Sequence, residues 1–164
     1  MIFARHTHRS SPINAADAAD AAIAPARPEH RDAILALIEG AGLPTSGVAD
    51  HFPGAYVVAR AGDVLVAAAG LEVHGDGGLL RSVVVAPEYR ATGLGRMLVD
   101  NRLRAARELG LGAVYLLTTT APDYFARLGF ERVRRESAPG PLQRSTEFAS
   151  VCPASAVCMT KRLR

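Results

Sequence analysis

In 164 residues there is no tryptophan, a single lysine and only two cysteines, and every apolar run falls short of the roughly 18 residues that a bilayer span needs. Each shortage excludes something. Nothing in the chain is expected to cross a membrane. The start, "MIFARHTHRSSPINAADAAD", lacks the continuous apolar stretch of a secretory signal, so a cytoplasmic protein is the expectation. We read residues 1–20 as a flexible arm and 21–164 as one domain, long enough to bury a substantial core and too short for two. The cysteines, Cys152 and Cys158 in "CPASAVC", are then reduced thiols packed beside a last strand. Without neighbouring histidines they cannot make a four-ligand zinc site, and no metal is expected. The charge is +3, with arginine supplying nearly all of the cations and acids interleaved throughout, and the aromatics number five Phe and four Tyr. That provides neither a basic stripe nor a stacking platform, so no nucleic-acid partner is expected.

What is present is an alternation of strand and helix patterns. "AAIAP" reads as a short strand and "PEHRDAILALIEGAGL" as a helix opened by Pro28 and closed by glycine. "TSGVADHF" reads as a short helix capped by Thr45 or Ser46. "AYVVAR", "VLVAAAGLEVHG" and "LLRSVVVAP" follow as an antiparallel meander with glycine turns. Leu98, Val99, Arg102, Leu103, Ala106 and Leu109 mark one face of a helix that starts after Gly93. "AVYLLTT" should lie parallel to the strand before that helix, as right-handed crossovers do. "APDYFARLG" reads as a short helix, "FERVRRE" as a strand, 137–153 as a long loop and "ASAVCMTKRL" as a last strand. The expected class is a mixed α/β (α+β) fold. It has a central sheet of six to seven strands, an antiparallel N-terminal meander, one parallel pair and about four helices.

The segment "VVVAPEYRATGLGR" carries chemistry. Pro87 ends a buried strand, and Gly93 and Gly95 bring bare backbone N–H groups to the positive end of a helix, flanked by Arg90 and Arg96. Such a place binds an anion, most naturally a phosphate or pyrophosphate. No Gly-Lys-Ser/Thr follows, which excludes a nucleoside-triphosphate loop, and the dinucleotide fingerprint lacks its third glycine and its acid.

With that strand, loop and helix in place, the segment resembles the coenzyme A loop of the GNAT acetyltransferases, Arg/Gln-x-x-Gly-x-Gly/Ala, here Arg90, Gly93 and Gly95. "APDYFARLGF" resembles the same family's later helix and its Gly-Phe ending. The resemblance runs from about Ala22 to Leu163 and implies an acetyl-CoA-dependent N-acetyltransferase. It implies that backbone at Val83, Val84 and Val85 pairs with the pantetheine arm and that Arg90, Ala91, Thr92, Gly93, Leu94, Gly95 and Arg96 hold the pyrophosphate. It places Thr118, Phe125 and Arg127 beside the coenzyme. Glu72 becomes the base for the amine, with His74 on the same strand face as a weaker candidate, and Tyr124 the candidate acid. Two positions depart from the family: Phe125 stands where a tyrosine is common, and Thr118 where an asparagine is common.

"YLLTTTAPDYFARLGF" and "STEFASVCPASAVCMTK" further resemble the arsenic-resistance-associated subgroup of that family. The likeness implies a small amine as partner, such as a toxic amino-acid analogue or an organoarsenical, with Arg144, Glu147 and Ser150 as substrate contacts. A coenzyme A-binding module with little catalysis and a thiol-based arsenic-binding protein stand as alternatives. Exposed end strands of such a sheet commonly pair, which points to a homodimer.

Overall fold

The computed structural model describes residues 21–164; the expected N-terminal arm lies outside the described residues. Seven strands form one sheet: β1 (Ile23–Pro25), β2 (Tyr56–Ala61), β3 (Val64–His74), β4 (Gly77–Val85), β5 (Ala113–Thr118), β6 (Glu131–Val133) and β7 (Val157–Arg162). Their spatial order is β1-β2-β3-β4-β5-β7-β6, antiparallel throughout except for the parallel β4–β5 pair. The helices are α1 (Arg31–Gly40), α2 (Val48–His51), α3 (Leu94–Glu108), α4 (Pro122–Arg127) and α5 (Gly140–Gln143), joined by several single 3-10 turns.

Alternation along the strands sets the two faces. Tyr56, Val58, Ala68 and Val84 point to α1, whose Ile34 and Ile38 are fully buried against them. Val57, Ala59, Ala67 and Ala69 point the other way, against Leu94 and Leu98 of α3. Leu103 and Ala106 extend that layer over β5 to Phe125 and Phe130. Runs of small residues on β3 let both helices approach the sheet closely.

Some local expectations are corrected. The cap of α2 is Gly47 at φ 80°, not Thr45 or Ser46; a side chain there would have to adopt a left-handed backbone and would meet Arg81 Nη1 at 3.0 Å. Leu109 lies past the last turn of α3 and is exposed. The strand expected at "FERVRRE" stops at Val133. The segment 137–153 is not featureless loop: it holds α5 and a π-type turn over Glu147–Val151. Leu142 and Phe148 give it an apolar underside, packed with Leu79 and Cys158. Arg135 fastens it from above, donating to the carbonyls of Pro153 at 2.9 Å and Cys152 at 3.2 Å.

The feature that positions the site is a split in the sheet. β4 and β5 pair only through Gly77↔Ala113, Gly78↔Val114 and Leu79↔Tyr115. Beyond Leu79 the strands diverge, and a bulge shifts the β3–β4 register between Ala68 and Gly70, opposite Ser82 with its φ of 54°. A bulge bends a strand and re-aims its side chains; here it leaves the β5-facing edge of β4 without a strand partner. Leu79, fully buried where the split begins, should therefore be critical. Leu79→Ala is expected to cost about 2–5 kcal/mol, seen as a lower denaturation midpoint with an unchanged denaturant slope.

Candidate active site

The split opens into a cleft of about 630 Å³. One wall is β4, from Leu80 to Val85; the other is β5 with its following turn, from Leu116 to Ala121. Tyr124 and Phe125 lie above, and Glu147, Cys152 and Pro153 close the far end. The near end is the loop after β4. Its backbone turns through Ala91 at φ 60° and Gly93 at φ 87°, both in the left-handed region, and Gly93 is the N-terminal cap of α3. The free N–H groups of the first turn of α3 thus face the cleft mouth, with no acid in that turn and with Arg90, Ala91, Gly95 and Arg96 beside them. A helix N-terminus so arranged attracts an anion through unsatisfied donors and the macrodipole.

The expected coenzyme residues divide into two groups. Val83, Val85, Arg90, Ala91, Gly93, Gly95, Arg96, Thr118 and Phe125 line the cleft. Val84 and Leu94 turn their side chains into the two cores, so only their backbone is available. The Thr92 hydroxyl donates to the carbonyl of Tyr89 and stiffens the loop instead. Arg127 is exposed on the last turn of α4, outside the lining. Arg90 folds back and donates from Nε to the carbonyl of Val85 at 3.1 Å. Thr118 Oγ1 accepts the N–H of Ala121 at 3.0 Å, which holds the turn leading into α4.

Tyr124 and Phe125 both reach the cleft although they are neighbours on α4. Phe125 is the deeper of the two and also stacks edge-on against Phe130. The Tyr124 hydroxyl lies over Gly95, where a Cβ would come within 2.8 Å of it; glycine is required there for the tyrosine to close down on the loop. Burial raises the Tyr124 phenol above its ordinary value, so it stays protonated and donates hydrogen bonds at neutral pH.

Deeper in the cleft sits a residue that the sequence analysis did not single out. Arg81 is 3% exposed and stands between two carboxylates, its Nη1 3.1 Å from Glu72 Oε1 and its Nε 3.3 Å from Glu147 Oε2. Its Nη2 donates to the carbonyl of Ser46 at 2.8 Å. Burial alone would lower the guanidinium, but Glu147, Tyr56 and Glu72 outweigh it and hold it above its ordinary value. An arginine amid "LLRSVVV" reads in sequence as an interruption of a strand; an ionised residue inside an apolar run was the available signal.

Glu72 is buried behind Arg81. Its Oε2 lies 2.9 Å from His74 Nε2 and 3.7 Å from His51 Nε2, and it is not part of the cleft lining. Glu147 does line the cleft, at 6% exposure. Its Oε1 accepts the Cys152 thiol at 3.4 Å, while its Oε2 has the Arg81 charge beside it but no hydrogen-bond donor. Burial raises its carboxyl above the usual range, with Arg81 pulling the other way. The Cys152 thiol is pushed up to about 12 by burial and by Glu147. Of the other expected substrate contacts, Arg144 is exposed, and Ser150 is exposed with its hydroxyl donating to Thr146; neither lines the cleft.

A profile described as "Acetyltransferase (GNAT) family" matches residues 20–130. An uncharacterized N-acetyltransferase of Chlorobaculum tepidum is 30% identical over 79 residues, 48% of each chain. The amino-acid acetyltransferase of Pseudomonas fluorescens is 36% identical over 84 residues, 51% of this chain and 19% of its own length. The chain therefore spans about half the length of the first of these curated relatives and about a fifth of the second. Among solved structures, N-acetylglutamate synthase from Neisseria gonorrhoeae, complexed with coenzyme A and N-acetyl-glutamate, superposes with a TM-score of 0.75. It does so at 19% identity, over 87% of this chain and 35% of that one; at that identity the likeness is one of fold.

Arg81→Met should be costly, by about 3–5 kcal/mol, because it leaves the buried Glu147 without its counter-charge. The deficit should also depend on pH. Arg81 is the largest influence holding the Glu147 carboxyl down, so its loss raises that folded-state pKa further. An acid whose pKa is raised on folding stabilises fully below its unfolded value and loses that contribution as pH rises through the folded value. Urea denaturation of Arg81→Met is therefore expected to show a larger deficit at pH 8 than at pH 5.

Proposed function

The chain belongs to the acetyltransferase (GNAT) family, and on that premise we propose that it is an acetyl-CoA-dependent N-acetyltransferase acting on the amine of a small amino acid or amino-acid analogue. One observation carries the reading: a single cleft has an anion cradle at its mouth and, at its far end, the buried carboxylate of Glu147, whose Oε2 is ion-paired with Arg81 and has no hydrogen-bond donor.

The residues suit the coenzyme. Space is open where a side chain on Gly93 would stand, so the backbone can approach a diphosphate closely, with Arg90 and Arg96 bracketing it. The edge of β4 at Val83 and Val85, which no strand covers, offers strand-like partners to the amides of a pantetheine arm, the Val85 carbonyl once Arg90 releases it. Bound acetyl-CoA supplies an acetyl thioester, an electrophile with a thiolate leaving group of ordinary acidity. Tyr124, protonated and lying over the loop, is a hydrogen-bond donor toward the coenzyme. Phe125 can only pack.

The acceptor must lose a proton before it attacks. At pH 7 this costs a lysine-like amine, of pKa about 10.4, roughly 4.6 kcal/mol, and an α-amine near 8 only about 1.4. A carboxylate made more basic by burial is suited to the second case, and Glu147 is that group. It receives the ammonium proton while its position is held by Arg81. Glu72, expected as the base, acts in this reading through Arg81 as a positioning residue. The amino-acid acceptor is supported by the amino-acid acetyltransferase among the relatives and by a cleft end carrying both Arg81 and Glu147. The likeness of the "STEFASVCPASAVCMTK" tail to the arsenic-associated subgroup extends the candidates to phosphorus and arsenic analogues of amino acids. A thiol carrier of arsenic is disfavoured: Cys158 is buried in the core, and the two thiols are pushed up to about 11 and about 12, so few thiolates exist at neutral pH.

Acetyl transfer to amino acids, their phosphorus and arsenic analogues, polyamines and peptides, followed by mass spectrometry, tests the reading. Product is expected only with amino-acid-like acceptors. Glu147→Gln should lower kcat by roughly 10²-fold or more with coenzyme A affinity retained. The acid limb of the kcat profile should lie above the range of a solvated carboxylate, because the base is active only when ionised, and it should vanish in the variant. Full activity in Glu147→Gln with loss in Glu72→Gln would return the base to Glu72. Coenzyme A binding without any product would leave a binding module.

A further inference from the structure

The cleft does not use His51 and His74, yet both aim a ring nitrogen at Glu72. Their Nε2 atoms lie 3.7 and 2.9 Å from the same carboxylate oxygen, Oε2, and the three ligand atoms lie within 4.8 Å of one another. We propose that His51, Glu72 and His74 form a site for one divalent transition-metal ion of the zinc class, behind the wall of the acetyl-transfer cleft.

The donor set is the argument. Two neutral imidazoles and one carboxylate, with a position left for water, are a recurrent zinc arrangement, with metal–ligand distances of about 2.0–2.2 Å. Around such an ion adjacent ligand atoms stand about 3.3 Å apart by tetrahedral geometry. The two separations from Glu72 Oε2, 2.9 and 3.7 Å, straddle that value, and all three ligand atoms lie within 4.8 Å of one another, so side-chain rotation of the half-exposed His51 closes the site. The carboxylate is already oriented: Arg81 holds Oε1 at 3.1 Å and leaves Oε2 facing the rings, as outer contacts of a metal ligand commonly do. The rings meet edge-on, with centroids 5.7 Å apart and planes at 65°, so their nitrogens converge without the rings stacking. His74 is 15% and His51 37% exposed, while Glu72 is 3% exposed, which gives an ion a route in and a wet fourth position. The charges oppose one another in part. Arg81 repels a cation, and Glu72 and Glu147 attract it; with both carboxylates ionised the three side chains sum to one negative charge. Three protein ligands beside an arginine bind more weakly than a four-ligand structural site, so the ion should exchange readily. Sequence spacing concealed the site, because His51 comes from α2 and the other two ligands from β3.

Cobalt(II) titration of chelator-treated protein is the test, with zinc as competitor. Visible d–d absorption should saturate at one equivalent and be displaced by zinc, and zinc should raise the melting temperature by mass action. His51→Ala, at the most exposed ligand, and His74→Ala should each lose the saturable signal, with coenzyme A binding as the check that they are folded. A variant with His6, His8 and His30 all changed to Asn should keep it. No saturable absorption, signal persisting in His51→Ala, loss of it in the three-histidine variant, or a sulfur-to-cobalt charge-transfer band pointing to the cysteines would each overturn the site. None of these readouts depends on acetyl transfer.

Discussion

A buried arginine shared by two carboxylates is the constraint on which the rest of the site depends. An ionised group inside a protein is tolerated only when its partners replace the water it has lost. Arg81 finds them on three separate pieces of chain: Glu72 on β3, the Ser46 carbonyl ahead of α2, and Glu147 in the turn after α5. Meeting that demand fixes the entrance to α2, the aim of Glu72 and the depth of Glu147 together. The same guanidinium leaves little room for a side chain on Gly47, the cap of α2.

The second constraint is the divergence of β4 from β5. Parallel pairing survives for three residue pairs and then ends, where the bulge at Ser82 turns β4 aside. The unused hydrogen-bonding edge would be a liability on a surface. Here it faces a cleft, where an extended amide-bearing ligand can complete it. The positive end of α3 faces the same cleft, so one break in the sheet yields both the slot for an arm and the cradle for its phosphates.

The far wall is built differently. The stretch from α5 to Pro153 has little regular structure, and its order comes from Leu142 and Phe148 seated over Leu79 and from the carbonyls gathered by Arg135. A carboxylate carried on such a segment can be buried without being neutralised outright. Oε2 of Glu147 has the Arg81 guanidinium 3.3 Å away but no donor in hydrogen-bond geometry, so its lone pairs are not all used.

The meander, the crossover to a parallel strand, the amphipathic α3 and the glycine loop could all be read from the sequence, because each rests on local periodicity, turn chemistry or a short motif. Glu147 was singled out only through family likeness, together with Arg144 and Ser150; of the three, Glu147 lines the cleft and the other two stand exposed outside the lining. The pairing of Arg81, the place of His51 and the exposure of Glu147 rather than Glu72 to the cleft were not legible. They depend on contacts between residues distant in the chain, and no local pattern records which strand a buried charge will find opposite it. Sequence by itself determined the order of elements and the anion cradle, whose donors are neighbours in the chain. Tertiary structure alone decided which carboxylate faces the cleft, because desolvation and pairing are properties of the packed interior.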